Sequence, residues 1–166
     1  ARLLAEEGAS LVVNDPGFDD GTGSSGSPAD EIAEEVRSAG GTATAAREDV
    51  ASMNGGERLI AAALDGFGRV DVLVNSVGLR NDGPVHEMAP EDFDRDVIAN
   101  IKGTFVPTKY AAIHFRQRRG GRIVCVTSDA GLGEAGASGF AAASEAIVGL
   151  TRTVARDLGK YGVTCN

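Results

Sequence analysis

Gly121 to Leu158 reads GRIVCVTSDAGLGEAGASGFAAASEAIVGLTRTVARDL, and this stretch decides the fold. GRIVCVT is a short apolar run that predicts a buried strand, and it ends in polar Ser128-Asp129. A loop rich in Gly and Ala follows. It enters a helix whose apolar residues Ile147, Leu150, Val154 and Leu158 fall at helical spacing. Strand, polar tip, loop, helix is how open α/β sheets place chemistry at the C-terminal ends of their strands. The tip carries a hydroxyl, Ser128, but the helix start carries Phe140 and Ser144. Neither of those side chains is an acid or base near neutrality.

Upstream, the same unit repeats. Ala1 to Glu7 reads as the end of a helix stopped by Gly8, and Ser10 to Val13 as a strand ending in Asn14-Asp15. Residues 16 to 27 are rich in Gly, Ser and Asp and predict a mobile surface loop. Ser27-Pro28-Ala29-Asp30 is a helix start: a hydroxyl cap, proline at the first position, and an acid three residues after the cap. Ile32 and Val36 supply its apolar stripe and Gly40-Gly41 its end. Thr42 to Ala46 is a weak strand followed by Asp49-Val50, Gly55 to Phe67 a helix, and Val70 to Val74 a strand ending in Asn75-Ser76-Val77-Gly78. Pro90 opens a long helical region to about Arg118, with Phe93, Val97 and Ile101 at four-residue spacing and Pro107 expected to kink or divide it. Downstream, Gly159 and Gly162 flank a turn before a strand at Val163 to Cys165.

Strands alternating with helices imply a doubly wound parallel sheet covered on both faces, a Rossmann-like three-layer αβα architecture in one domain over residues 1–166. Such a nucleotide fold opens with a strand and a glycine loop that holds phosphates. Neither precedes the first helix here, and the last strand is short, so the expectation is a fold incomplete at both ends.

Lys plus Arg number 16 against 24 Asp plus Glu, a net charge of -8 that disfavours a nucleic-acid or anionic-membrane surface. The one basic cluster, Arg116 to Arg122 (RQRRGGR), reads as a solvated helix end, where cations suit the dipole. Two cysteines, Cys125 and Cys165, cannot build a disulfide framework, and their apolar surroundings suggest buried, reduced thiols. No membrane-length apolar run or signal peptide is visible, which sets a cytoplasmic expectation. His86 and His114 do not cluster with acids or Cys at ligand spacing, so no metal site is expected.

Several motifs together resemble the short-chain dehydrogenase/reductase family over nearly the whole length. They are VVND before a Gly/Ser loop, SPADEIAEEVRSAGG, FGRVDVLVN and IKGTFVPTKYAA. The pattern is most similar to the branch of (3R)-hydroxyacyl-CoA dehydrogenase domains in multifunctional β-oxidation proteins. The resemblance implies an NAD-linked oxidoreductase acting on a hydroxyl or carbonyl substrate, with acyl-CoA among its possible forms. It also implies a homodimer or homotetramer. Asp15 matches the acid that binds the adenosine ribose hydroxyls; a carboxylate there repels a 2′-phosphate, which favours NAD over NADP. Asp49 and Val50 match the adenine-side pair. Asn75 and Gly78 keep the ends of the family's Asn-Asn-Ala-Gly segment, and Val77 adds bulk in its middle. Asn100 matches the asparagine of the proton relay, and Ser128 the hydroxyl that steadies the substrate oxygen, with Thr127 a structural neighbour.

The departures fall on the proton-transfer groups. Aligning AIVGLTRTVARDLGKYGV leaves Phe140 and Ser144 on the positions of the family's Tyr-x-x-x-Lys. A tyrosine transfers the substrate proton only when a nearby ammonium lowers its pKa of about 10. Phe140 has no proton to exchange, and Ser144 brings no charge. Asp129 is the nearest ionisable group to Ser128 and the one candidate for an improvised base. The alternative reading is therefore a catalytically inactive nucleotide-binding or protein-interaction scaffold.

Overall fold

The described strands of this chain all pair in parallel, and polar tips that the sequence marks out follow their C-terminal ends. The computed structural model describes residues 1–17 and 27–166; most of the Gly/Ser loop predicted over 16 to 27 lies outside them. The elements run α1 (Arg2–Glu6), β1 (Ser10–Asn14), α2 (Pro28–Ser38), β2 (Thr42–Ala46), α3 (Met53–Phe67), β3 (Val72–Asn75), α4 (Pro90–Val97), α5 (Gly103–Arg118), β4 (Gly121–Cys125), α6 (Ser138–Gly159) and β5 (Val163–Cys165). This is a three-layer α/β fold of Rossmann type. Its described strands divide into two parallel sheets, β1-β2 and β3-β4-β5, where a single sheet was expected. The helix α3 packs against both β1 and α5 and so ties the two parts together.

Local chemistry explains the elements. Ser27 accepts the Ala29 N–H while Asp30 accepts the Ser27 N–H, the reciprocal capping box expected from the sequence. In α2 the buried line is Ala29, Ala33 and Val36, which meets Leu11, Ala43 and Ala45 to make the smaller core. The larger core joins Leu73, Ile123, Val163 and Cys165 from the second sheet to Ala111, Phe115 and Leu158 from α5 and α6. Alternation along β3 and β4 turns Leu73 and Ile123 inward and the intervening residues outward. The outward face is uncovered: Val72, Val74, Val124 and Val126 are 49%, 46%, 40% and 49% exposed. Coverage of both faces, expected of a parallel sheet, is thus met on one face of this sheet only.

Two expectations about the long helical region need correction. The irregular turn lies upstream of Pro107, as a five-residue π turn at Ile98–Lys102, and α5 then runs straight through the proline. Proline leaves the carbonyl four residues earlier without a donor. That residue is Gly103, the first of α5, so the loss falls at a helix start. The buried line runs through Asp96 and Asn100, which bind the Asn81 and Leu79 loop groups, and so lies off Phe93, Val97 and Ile101. Phe93 is exposed, and the buried residues include Asp96, Asn100, Thr104, Thr108, Ala111 and Phe115, with Gly103, Val106 and Pro107 beside them.

Candidate active site

Within each sheet the parallel register aligns the C-terminal strand ends, and short polar hooks follow β1, β2, β3 and β4. At β1, Asn14 clamps the Glu48 peptide from both sides, donating from Nδ2 to its carbonyl (3.0 Å) and accepting its N–H at Oδ1 (2.8 Å). This holds the turn after β2 beside Asp15. Asp15 continues the ladder through its N–H to the Ala46 carbonyl, and its Oδ1 accepts the Gly17 N–H at 2.8 Å. Asp49 is exposed, with Oδ1 accepting the Ala51 N–H at 2.9 Å. Its carbonyl takes the Ser52 hydroxyl, which in turn caps α3 at the Gly55 N–H. A side chain at Gly55 would stand 2.0 Å from the Asp49 carbonyl oxygen, so glycine is required for the Asp49 turn to lie this close to α3.

At β3, Asn75 is buried and donates to Thr108 Oγ1 (3.0 Å) and, more weakly, to Cys125 Sγ (3.6 Å). Val77 and Val50 both reach Gly103: a Cβ there would lie 3.4 Å from Val77 Cγ1 and 3.6 Å from Val50 Cγ2. The extra bulk of Val77 is therefore accommodated against the glycine that opens α5. Gly78 has open space where a side chain would project.

The loop after β3 is stitched to the helices by Asn100, which the sequence marked out, and by Asp96, which it did not; Thr104 and Thr108 extend the same buried polar line. Asn100 is fully engaged: Oδ1 accepts the Leu79 N–H (3.1 Å), and Nδ2 donates to the carbonyls of Leu79 and Asp96 (2.7 Å each). Buried Asp96 accepts the Asn81 backbone N–H at 3.0 Å and its amide Nδ2 at 2.7 Å. Thr104 and Thr108 return their hydroxyls to the carbonyls of Asn100 and Thr104, each at 2.8 Å. The available signal was polar residues at four-residue spacing (96, 100, 104, 108), a face that is polar and buried because loop amides meet it.

At β4, Ser128 starts a 3-10 turn over Asp129–Leu132; its Oγ accepts the Ala130 N–H (3.1 Å) and approaches Asp129 Oδ1 at 3.4 Å. Thr127 donates to the Ser144 carbonyl at 2.9 Å and so ties the strand tip to α6. Phe140 and Ser144 sit one turn apart on α6, Phe140 half-buried and Ser144 buried. Over the Phe140 ring, 5.6 Å from its centroid, stands the Arg80 guanidinium. Arg80 pairs with Glu134 (2.6 Å) and Asp82 (2.6 Å), and these carboxylates, Glu134 foremost, raise its pKa further. The Gly83 N–H reaches the Gly136 carbonyl at 2.8 Å, a second tie between the two loops at this mouth.

The arrangement offers carboxylates and open backbone at neighbouring strand ends, plus a hydroxyl at the central one. Beside Phe140 the charged group is a guanidinium, which does not release a proton near neutrality. His86 is an exposed residue near Glu87, and no group of three or more His, Cys, Asp or Glu able to hold a metal ion occurs among the described residues. No helix among them is long and apolar enough to cross a membrane.

The family model described as short chain dehydrogenase matches residues 1–166. The chain is 40% identical over 168 residues to a short-chain type dehydrogenase/reductase of Mycobacterium tuberculosis, covering 100% of this chain and 59% of that protein. It is 37% identical over 168 residues to peroxisomal multifunctional enzyme A of Dictyostelium discoideum, covering 100% of this chain and 37% of that enzyme. Among solved structures, a short chain dehydrogenase from Mycobacterium avium superposes with TM-score 0.91 at 36% identity, covering 100% of this chain and 61% of that one. An NAD+-bound xylitol dehydrogenase gives TM-score 0.91 at 28% identity, covering 99% of this chain and 61% of that one.

Proposed function

The chain belongs to the short chain dehydrogenase family, and we propose that it is an NAD-linked oxidoreductase that moves hydride between a nicotinamide and a hydroxyl or carbonyl carbon. The observation that carries this reading is the row of strand tips, with Asp15 at β1, Asp49 and Val50 after β2, Asn75 and Gly78 at β3, and Ser128 at β4. These residues fit a dinucleotide. Gly78 leaves open space at its tip, and Asp15 and Asp49 follow adjacent strands with their described hydrogen bonds limited to local N–H groups. NAD, when bound, supplies the hydride acceptor. Asp15 would take the ribose hydroxyls and disfavour NADP by repelling a 2′-phosphate. Asp49 and Val50 would meet the adenine, Asn75 and Gly78 would shape the floor of the cleft, and Ser128 would donate to the substrate oxygen. Asn100 would hold the relay water by positioning the Leu79 segment and the adjoining π turn.

Likeness to a (2S)-[(R)-hydroxy(phenyl)methyl]succinyl-CoA dehydrogenase subunit of Thauera aromatica, 32% identical over 166 residues, supports an acyl-CoA substrate, and the family supports a homodimer or homotetramer. The apolar groove between α5 and α6, where Phe105 and Ile113 are exposed beside Val154 and Tyr161, would be its contact surface. Sedimentation as a monomer at tens of micromolar would count against the oligomer.

A second reading rests on Phe140 and Ser144: a scaffold that binds nucleotide without turnover. Losing one positioned acid or base costs about 10²- to 10⁴-fold, and here both expected groups are replaced. Titration with NADH, read by cofactor fluorescence, tests the binding claim for both readings. Saturable enhancement, weaker for NADPH and lost in Asp15→Ala, is the expected result. Absence of binding up to about 1 mM, a free energy of only about -4 kcal/mol, would remove the nucleotide reading for this chain.

A further inference from the structure

The basic run RQRRGGR lies at the opposite end of the strands from the candidate active site, and the fold turns it into a concave surface. A cavity of about 380 Å³ opens where α3 enters β3 and α5 enters β4. Arg69, Arg118 and Arg122 line it with Asp71, Val72 and Gly120. Three guanidinium groups therefore face one carboxylate, in a chain whose overall charge is -8. The volume falls within the roughly 300–1,000 Å³ usual for small-ligand sites.

The three arginines are committed to different degrees. Arg69 forms a two-pronged pair with Asp71, its Nε donating to Oδ2 at 2.7 Å. Arg118 is held loosely, with Nη2 3.4 Å from Asp71 Oδ1 and Nη1 3.4 Å from the Val70 carbonyl. Arg122 donates Nη1 to the carbonyls of Gly121 (2.8 Å) and Gly162 (3.2 Å); its Nε and Nη2 make no hydrogen bond among the described residues. That anchor holds the guanidinium by Nη1 and leaves the Nε and Nη2 donors for a ligand at the rim. Beside it, in register on the neighbouring strand, stands exposed Val72. Gly120 leaves open space over the turn.

We propose that this cavity binds a diphosphate group, with the Arg122 and Arg118 forks as its main ligands. Guanidinium forks match phosphate oxygens in two-point geometry, and two forks facing one cavity suit two linked phosphates better than a single monoanion. Asp71 is the intramolecular competitor: it occupies Arg69 and draws on Arg118, and these cations, Arg69 foremost, hold its carboxyl below the ordinary range. The diphosphate belongs either to free pyrophosphate or to a nucleoside diphosphate, whose base would pack on Val72.

Calorimetric titration of the intact chain with inorganic pyrophosphate, and separately with ADP, at low ionic strength tests the site. Saturable one-to-one binding is expected. Arg122→Gln and Arg118→Gln should each weaken it about tenfold, the scale of a lost charge-assisted hydrogen bond. Asp71→Asn should strengthen it, an outcome that damage to the fold would not produce. Tighter binding of ADP than of pyrophosphate would identify the nucleotide as the preferred source, and equal binding the free diphosphate. An isotherm unaffected by both arginine substitutions, or heats reproduced by sodium chloride at matched ionic strength, would overturn the proposal.

Discussion

Replacing Gly121 with alanine should destabilise the fold by an amount set by one aromatic ring. A Cβ on Gly121 would stand 2.3 Å from Phe115 Cγ and 2.5 and 2.6 Å from its two Cδ atoms. Carbon atoms in ordinary contact lie about 3.5–4.0 Å apart, so the overlap exceeds an ångström. Phe115 is fully buried in the larger core among Ile60, Ala111, Ile123 and Leu158. Its Cγ cannot be moved by turning the ring about its own axis. The strand start must shift instead, and Gly121 is also paired with Val163 of β5. Overpacking of this kind costs about 1–3 kcal/mol. For a chain of this length each kcal/mol lowers Tm by about 2–4 °C, which gives a drop of about 2–12 °C. Gly120→Ala is the control: a Cβ there meets nothing within 4 Å, and its effect should stay within about 0.5 kcal/mol. Urea unfolding followed by far-ultraviolet circular dichroism measures both. Phe115→Leu narrows the ring position, so the double variant should lose less than the sum of the singles, by about 1 kcal/mol. Equal stability of Gly121→Ala and Gly120→Ala, or strict additivity in the double variant, would refute the reasoning.

Arg119 ends α5 in the left-handed region at φ 54°, where glycine carries no Cβ penalty; Arg119→Gly should stabilise by about 0.5–1 kcal/mol, read as a rise in urea midpoint. Burial first, and then the neighbouring Cys125 thiol, push Cys165 up to about 12. The native state therefore keeps a proton that the unfolded chain loses near the ordinary thiol pKa of about 8.5. That contribution is complete below the unfolded value and is lost as pH rises toward the folded one. Cys165→Ala should flatten the alkaline fall in urea midpoint between pH 8 and 10.5; an unchanged slope would discount the thiol. Phe140→Tyr with Ser144→Lys should raise hydroxyacyl thioester oxidation by at least about 10²-fold over the parent, measured as NADH absorbance, with Phe140→Tyr alone intermediate. Retained NADH binding without turnover in the double variant would mean that more than these two groups has been lost.

The sequence displayed most of the architecture because short-range chemistry specified it. The Ser27 capping box, the glycine stops and the apolar strand runs appear where residue type placed them. The long helical region was misread because its buried face is chosen by tertiary contacts rather than by an apolar period. Asp96 and Asn100 are buried by the loop amides they bind, so an extrapolated apolar period pointed to Phe93 instead. Among site residues, the strand tips were legible from the punctuation after each apolar run. Asn14 and Asp96 were not, since each acts on a segment distant in sequence: Asn14 on Glu48 and Asp96 on Asn81. Arg80 was likewise overlooked, because its relation to Phe140 arises only when two loops meet.

The outward valines of β3 and β4 bear on how this chain behaves as a colloid. Four half-exposed valines lie on a sheet whose β3 edge has no strand partner among the described residues, and β1 presents a similar edge. Open parallel edges beside an apolar face are templates for chain-to-chain strand addition. What opposes it is long-range repulsion among molecules of charge -8, which vanishes near the isoelectric point of about 4.7 and is screened within about 8 Å at physiological salt. Turbidity should therefore rise steeply with added salt and on acidification toward pH 5, while dilute alkaline buffers keep the chain dispersed.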